Sequence, residues 1–293
     1  MATPMTAVTS HEESWSTLLD TEVSSWGTTD PAVAAVGRTG VLGSAGPVDL
    51  PRPWASVTKI VAALAVLDVV HEGLLGLDEP AGPTGSTVRH LLAHASGLAF
   101  DEPRVLAAPG TRRIYSNVGI DVVTELACER TSSEHAGVLL TDRVLAPLGM
   151  TATTLQGPPS HGAVGPVSDL ALLALELLDP RVLRPGLVVD ATTPAFPELA
   201  GVLPGFGRQS PNDWGLGVEL RGHKSPHWTP AELSPRAFGH FGQSGAFLWV
   251  DPSRGLGLVA ATDTAFGPWA AQAWPRTSTR VLTSAALLDR RSS

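Results

Sequence analysis

The run Ile60-Val61-Ala62-Ala63-Leu64-Ala65-Val66-Leu67 offers no polar face at any helical phase. A helix that is apolar all round must be covered on every side, so this chain has to wrap further layers of structure around it. The helix reads as starting near Ser56 and continuing to Gly73. At its head stands Lys59, one of only two lysines in 293 residues, and a lysine at the start of a core helix needs a reason. Ser56 supplies one. Positions i and i+3 share a helix face, which brings the lysine amine back to the serine hydroxyl. That hydroxyl is a weak nucleophile until a neighbour takes its proton. Lys59 can do so once burial or nearby positive charge lowers its pKa from the ordinary ~10.4. A helix N-cap is the competing reading of Ser56, and capping and catalysis are compatible.

Two further stretches carry chemistry. The only tyrosine, Tyr115, follows a Pro109-Gly110 turn in Thr111-Arg112-Arg113-Ile114-Tyr115-Ser116-Asn117 and precedes another apolar helix. Later, Gly239-His240-Phe241-Gly242-Gln243-Ser244-Gly245 leads into Ala246-Phe247-Leu248-Trp249-Val250 and an Asp251-Pro252 turn, which reads as a glycine-edged strand. In this order, Ser-x-x-Lys, Tyr-x-Asn and His-x-Gly resemble the serine β-lactamase and penicillin-binding-protein superfamily, of which Ser-x-x-Lys is a mark. The likeness is to its class C-like branch of β-lactamase-related hydrolases, esterases and D-alanyl-D-amino-acid peptidases. The stretches at 87–98, Pro147-Leu148-Gly149-Met150 and Trp214-Gly215-Leu216-Gly217-Val218 are similar too, so the resemblance runs from about residue 30 to about residue 262.

The resemblance implies roles. Ser56 is the nucleophile, while Lys59 and Tyr115 form a coupled pair that moves its proton, the base being unassigned between them. Asn117 holds the lysine and the substrate carbonyl. The backbone N–H groups of Ser56 and Gln243 make the oxyanion hole. His240 stands where β-lactamases usually carry lysine, and Phe241 where a threonine hydroxyl commonly helps to bind a substrate carboxylate. With Gly242 they complete the substrate-binding strand. Phenylalanine cannot donate that hydrogen bond, which points to an uncharged acyl group.

Around these motifs, residues 10–26 read as an amphipathic helix with Trp15, Leu18, Leu19 and Val23 at helical spacing. Strands at 32–36 and 40–42 flank the Arg38-Thr39-Gly40 turn. Helical segments follow at 87–95, 118–130, 134–146 and 167–178, strand signals at 215–221, 236–240, 245–250 and 255–261, and a last helix at about 268–289. The expected fold is α/β (α+β), β-lactamase/transpeptidase-like: an antiparallel sheet flanked by terminal helices, plus an inserted all-helical lobe, with the site in the cleft between them. Residues 1–77 and 201–293 are assigned to the α/β domain and 78–200 to the helical domain. The Pro/Gly-rich stretch 194–211 reads as the return linker, and 222–235 as a loop bordering the cleft.

A net charge of −8 with no basic stripe argues against a nucleic-acid partner. The first 15 residues lack the basic, apolar and small-residue pattern of an export signal, and no apolar run reaches membrane-spanning length. The expectation is a cytoplasmic protein with no membrane partner. The single cysteine, Cys128, excludes an internal disulfide and reads as a buried inert thiol. His90 and His94 are spaced like the ligands of His-Glu-x-x-His, but Leu91 replaces the glutamate, so helix packing is preferred. No metal or cofactor is expected. The function implied is hydrolysis of a small ester or amide through a Ser56 acyl-enzyme, esterase-like. The alternatives are a β-lactamase or D-alanyl-D-amino-acid peptidase, and a non-catalytic binding protein on the same scaffold, which would need neither the unusual lysine nor the lone tyrosine.

Overall fold

A computed structural model describes residues 10–292; the first nine residues of the segment examined for an export signal lie outside the described residues. The chain opens with α1 (Ser10–Ser24), followed by the hairpin of β1 (Ala32–Gly37) and β2 (Gly40–Ala45). A short β3 (Arg52–Pro53) and a tight turn at Ala55–Val57 lead into α2 (Thr58–His71). Every residue of α2 from Thr58 to Val69 is buried, as its lack of a polar face requires. Two of the helices that follow pack on it, α4 (Asn117–Thr131) and α5 (Ala136–Leu140), the latter extended by a wider turn at Thr141–Leu145, while α3 (Val88–Leu92) packs on α4.

Next come β4 (Thr154–Leu155) and β5 (Ala163–Gly165), which form a small sheet with β3. They are followed by α6 (Val167–Leu178), α7 (Leu187–Thr192) and a separate hairpin of β6 (Gly201–Leu203) and β7 (Gly207–Gln209). The strands β8 (Glu219–Leu220), β9 (Phe238–Phe241), β10 (Phe247–Asp251) and β11 (Leu256–Ala261) then complete the main sheet, and α8 (Pro268–Ser292) closes the chain. The main sheet has six antiparallel strands in the order β2-β1-β11-β10-β9-β8.

Both faces of that sheet are covered. Val33, Ala35, Phe247 and Trp249 pack with Trp15 and Leu19 of α1 and with Trp274 and Val281 of α8. Their neighbours Ala34, Val36, Leu248 and Val250 join α2 and α6 in the other core. Strands buried on both sides read as apolar runs rather than alternation, and all six residues of β1 and of β11 are buried.

The sequence expectations need three corrections. Residues 167–178, assigned to the helical lobe, form a helix that lies on the sheet against β1, β10 and β11, because its apolar face of Leu170, Leu173, Ala174 and Leu177 fills the core between sheet and α2. The stretch 194–211 contains the β6–β7 hairpin. The strand expected at 215–221 shrinks to Glu219–Leu220, since the chain before it presses on α2: at Gly217, with φ +79°, a Cβ would stand 2.1 Å from the Cβ of Ala63. Among the described residues no helix is long and apolar enough to cross a membrane.

Candidate active site

The nucleophile turn is fixed from below. β3 pairs with β5 through Arg52↔Gly165 and Pro53↔Val164, and the fully buried Trp54 donates its Nε1–H to the Gly165 carbonyl at 2.9 Å. Ala55 then takes φ +45°, and the Thr58 hydroxyl closes the turn on the Ala55 carbonyl at 2.6 Å. The N-cap position of α2 is Val57, without a side-chain cap. The Ser56 hydroxyl is therefore not used for capping.

Lys59 is fully buried. Its amine meets Ser56 Oγ at 3.1 Å, Asn117 Oδ1 at 2.6 Å and the Ser160 carbonyl at 2.8 Å. An ammonium has three donors and no acceptor, so these three oxygens satisfy its charged form. Burial lowers the lysine to about 7, while Asp121 and Asp101 pull it upward. Both protonation states are accessible near neutral pH.

Ser116 caps α4, accepting the Gly119 N–H at 3.1 Å, and so holds Tyr115 and Asn117 on either side of a fixed helix start. The Tyr115 hydroxyl lies 3.3 Å from His240 Nε2 and within hydrogen-bonding reach of Ser56, and Lys59 Nζ is 4.8 Å from the tyrosine ring centre. His240 Nδ1 is 2.7 Å from the Phe241 carbonyl oxygen. A carbonyl only accepts, so Nδ1 carries the proton and Nε2 accepts from the Tyr115 hydroxyl. Burial, reinforced by the Lys59 charge, lowers His240 to about 3. The imidazole is neutral. Burial also holds the Tyr115 phenol above its usual range, so it is a neutral hydroxyl with its proton turned to His240 and its oxygen turned to Ser56.

Asn117 has a second partner besides Lys59. Its Nδ2 donates to Asp101 Oδ1 at 2.6 Å, so the amide bridges Lys59 and Asp101 and keeps one N–H of its two donors for another acceptor. Asp101 lies in a loop that carried no motif, and Ser160 contributes a backbone oxygen, which no residue type announces. The Ser160 N–H in turn donates to Asp121 Oδ1 at 2.9 Å. The helix expected at 87–95 is also shorter. α3 ends at Leu92, and His94 follows it with φ +55°, so His90 and His94 do not share a helix face. His90 packs on Phe196 and His94 on Tyr115, with ring centres 4.3 and 4.6 Å apart. Among the described residues no cluster of three or more His, Cys, Asp or Glu side chains could hold a metal ion.

Ser56, Tyr115 and His240 open on a cavity of about 210 Å³ whose wall is Phe100, Leu203, Pro204, Trp214 and Phe241, with Glu219 also lining it. Leu203 and Pro204 belong to the β6–β7 hairpin, within the stretch whose Pro/Gly content reads as a linker. Phe241 is wedged against Phe266, ring centres 4.8 Å apart, and edge-on to Phe206 at 6.0 Å. Gln243 lines the mouth, while its Nε2 donates to the Phe266 carbonyl at 3.3 Å. Gly242 is where β9 touches the nucleophile turn: a Cβ there would stand 2.2 Å from the Trp54 carbonyl oxygen. Behind the cavity, the loop at 222–235 packs instead of bordering it. Glu219 Oε1 accepts from Lys224 Nζ at 2.9 Å and His227 Nε2 at 2.8 Å, and Oε2 accepts from Trp228 Nε1 at 2.7 Å. Burial pushes the Glu219 carboxyl up, but these partners bring it well below the usual carboxylate range.

The family model described as Beta-lactamase matches residues 32–281. No curated protein matches. Among solved structures, a beta-lactamase from Mycobacterium bovis is 49% identical with a TM-score of 0.87, the match covering 90% of this chain and 97% of that one. Unliganded simvastatin synthase from Aspergillus terreus shares the fold at 17% identity and a TM-score of 0.73, covering 94% of this chain and 99% of that one. So does EstCE1, a hydrolase with promiscuous acyltransferase activity, at 17% identity and 0.73, covering 91% and 97%.

Proposed function

The chain belongs to the Beta-lactamase family, and from that premise we propose a class C-like, esterase-like serine hydrolase that cleaves a small, uncharged acyl ester through a Ser56 acyl-enzyme. The observation that carries this reading is that Ser56, held by Lys59 and Tyr115, opens on a cavity of about 210 Å³ whose wall is mostly apolar. That volume is below the ~300–1,000 Å³ of drug-sized ligand sites, which suits a short acyl group.

In this mechanism Ser56 Oγ attacks the acyl carbon while its proton passes to the Lys59–Tyr115 pair. The carbonyl oxygen, now negative, faces the N–H groups of residues 56 and 243. Collapse breaks the bond to the leaving alkoxide, which takes the proton from the pair. Water then attacks the acyl-enzyme, giving its proton to the pair, and Ser56 leaves reprotonated with release of the acid. Neutral His240 and the Phe241 ring give a substrate carboxylate neither a cation nor a hydroxyl donor, and loss of a charge-assisted hydrogen bond costs on the order of 1.5–3 kcal/mol.

Hydrolysis of β-lactams is the second reading, favoured by the description of the Mycobacterium bovis relative. One experiment separates the two. A fluorophosphonate should add once to the wild type and not to Ser56→Ala, whose turnover should fall by about three to six orders of magnitude. On the wild type, kcat/KM for a neutral p-nitrophenyl ester should exceed that for a chromogenic cephalosporin by at least about tenfold. The double change His240→Lys with Phe241→Thr should narrow the gap. Efficient cephalosporin hydrolysis by the wild type would replace the esterase reading with the β-lactamase one.

A further inference from the structure

His94 has no part in the chemistry above, yet it holds Tyr115 from three directions. The residue before the tyrosine, Ile114, donates its N–H to the His94 carbonyl at 2.9 Å. The residue after it, Ser116, donates its N–H to His94 Nδ1 at 3.2 Å. The imidazole then covers one side of the phenol, its ring centre 4.6 Å from that of Tyr115. One residue thus fixes the backbone on both sides of the tyrosine as well as the ring.

The conformation of His94 fits a purpose beyond packing. Its backbone lies in the left-handed region at φ +55°, which non-glycine residues adopt at a strain that the surrounding structure must hold in place. Its ring is completely buried. Because Nδ1 accepts from Ser116, the neutral ring carries its proton on Nε2, and that nitrogen has no hydrogen-bond partner among the described residues. The ring stands edge-on to Trp214, 4.7 Å between centres at 89°. A leucine would fill this volume without an unpartnered donor, but it could not accept the Ser116 N–H.

We propose that His94 is the positioning residue of the site: by clamping Ile114 and Ser116 and backing the phenol, it sets the Tyr115 hydroxyl between Ser56 and His240. This rests on the role given to Tyr115 under the proposed function. The charged and titratable groups bearing on His94 are Lys59, His240 and Arg113, and those bearing on Tyr115 include Glu219 and Asp101, so a spectroscopic readout at one fixed pH is preferable to a titration. With a single tyrosine in the chain, isotope-labelled tyrosine gives one NMR resonance, and it belongs to Tyr115.

Two variants decide the matter, with thermal melting as the check on folding. His94→Leu keeps the bulk and removes the acceptor; His94→Asn keeps a side-chain acceptor and tolerates the left-handed backbone. His94→Leu should move the tyrosine resonance and lower ester kcat by about 100-fold, the effect of displacing a reacting group by ~1 Å, with KM changed little. His94→Asn should restore kcat to within about tenfold of wild type and bring the resonance back. The inference is overturned if folded His94→Leu keeps wild-type kcat, if its loss lies wholly in KM, or if His94→Asn recovers nothing. Should His94→Leu fail to fold, His94→Asn decides alone, and a kcat as low as that of Tyr115→Phe would count against the clamp. The resonance needs no substrate, so a wild type without esterase activity would end the functional reading while leaving the clamp measurable.

Discussion

Lys59 and Tyr115 both bear on Ser56, and burial biases both toward their uncharged forms: it lowers the lysine to about 7 and raises the phenol above its usual range. A neutral amine accepts the serine proton and an ammonium cannot, so kcat/KM should rise with pH through an apparent midpoint near about 7 that belongs to the coupled pair. A flat profile from acidic to alkaline pH would rule out a titrating base here. Stability follows the same sign. The folded lysine releases its proton at about 7 and the unfolded one at 10.5, so between those values the unfolded chain binds more protons and stability rises with pH. Lys59→Met should remove that rise in pH-resolved denaturant melts. Because the two residues act as a unit, Lys59→Ala and Tyr115→Phe should each be severe and their combination little worse than either; losses that simply multiply would mean independent roles. Asp101 belongs to this scale too, since it fixes the direction of the Asn117 amide that Lys59 leans on.

At the level of elements, the site depends on how closely β9 approaches the nucleophile turn. Gly242 makes this contact, and an added Cβ would meet the Trp54 carbonyl oxygen at 2.2 Å and the Cβ of Ala55 at 3.0 Å. Both are held by backbone, so β9 would have to move away from the head of α2. Gly242→Ala should therefore lower kcat by about 100-fold and slow fluorophosphonate labelling in proportion, as expected when a positioned site opens by ~1 Å. Gly76→Ala is the control, because its Cβ would find nothing nearer than 3.6 Å. If the two variants behave alike, the spacing of β9 and the turn is not what aligns the site. The β6–β7 hairpin acts at the same scale by placing Leu203 and Pro204 opposite Phe241, which ties acyl length to the packing of that hairpin.

For the whole molecule, the second lysine completes the picture of charge placed inside the fold. Lys224 and Glu219 are an ion pair 2.9 Å apart, with side chains only 1% and 2% exposed, and the amine also donates to the carbonyls of Asp213 and Leu220. Removing one member leaves a buried charge without its counter-ion, so Lys224→Met should destabilise the protein by about 3–5 kcal/mol in equilibrium unfolding, and adding Glu219→Gln should return part of that loss. A single variant within about 1 kcal/mol of wild type would show the pair to be dispensable. What the sequence determined by itself was local or periodic: an apolar helix that had to be buried, a serine and lysine on one turn of it, the lone Tyr115 before a capped helix, and apolar strands ending at Gly242. What only the tertiary structure decided was whatever depends on distant segments meeting. Asp101 and the His94 clamp from one long loop, the Ser160 carbonyl from a second, and the wall from the β6–β7 hairpin all gather around the site, and α6 chose the sheet over the helical lobe because its apolar face found its complement there. The physical reason is that hydrophobic period and residue type encode which faces must be buried, while the partner that buries them, and the backbone oxygen that meets a lysine, are set by packing over long sequence separations.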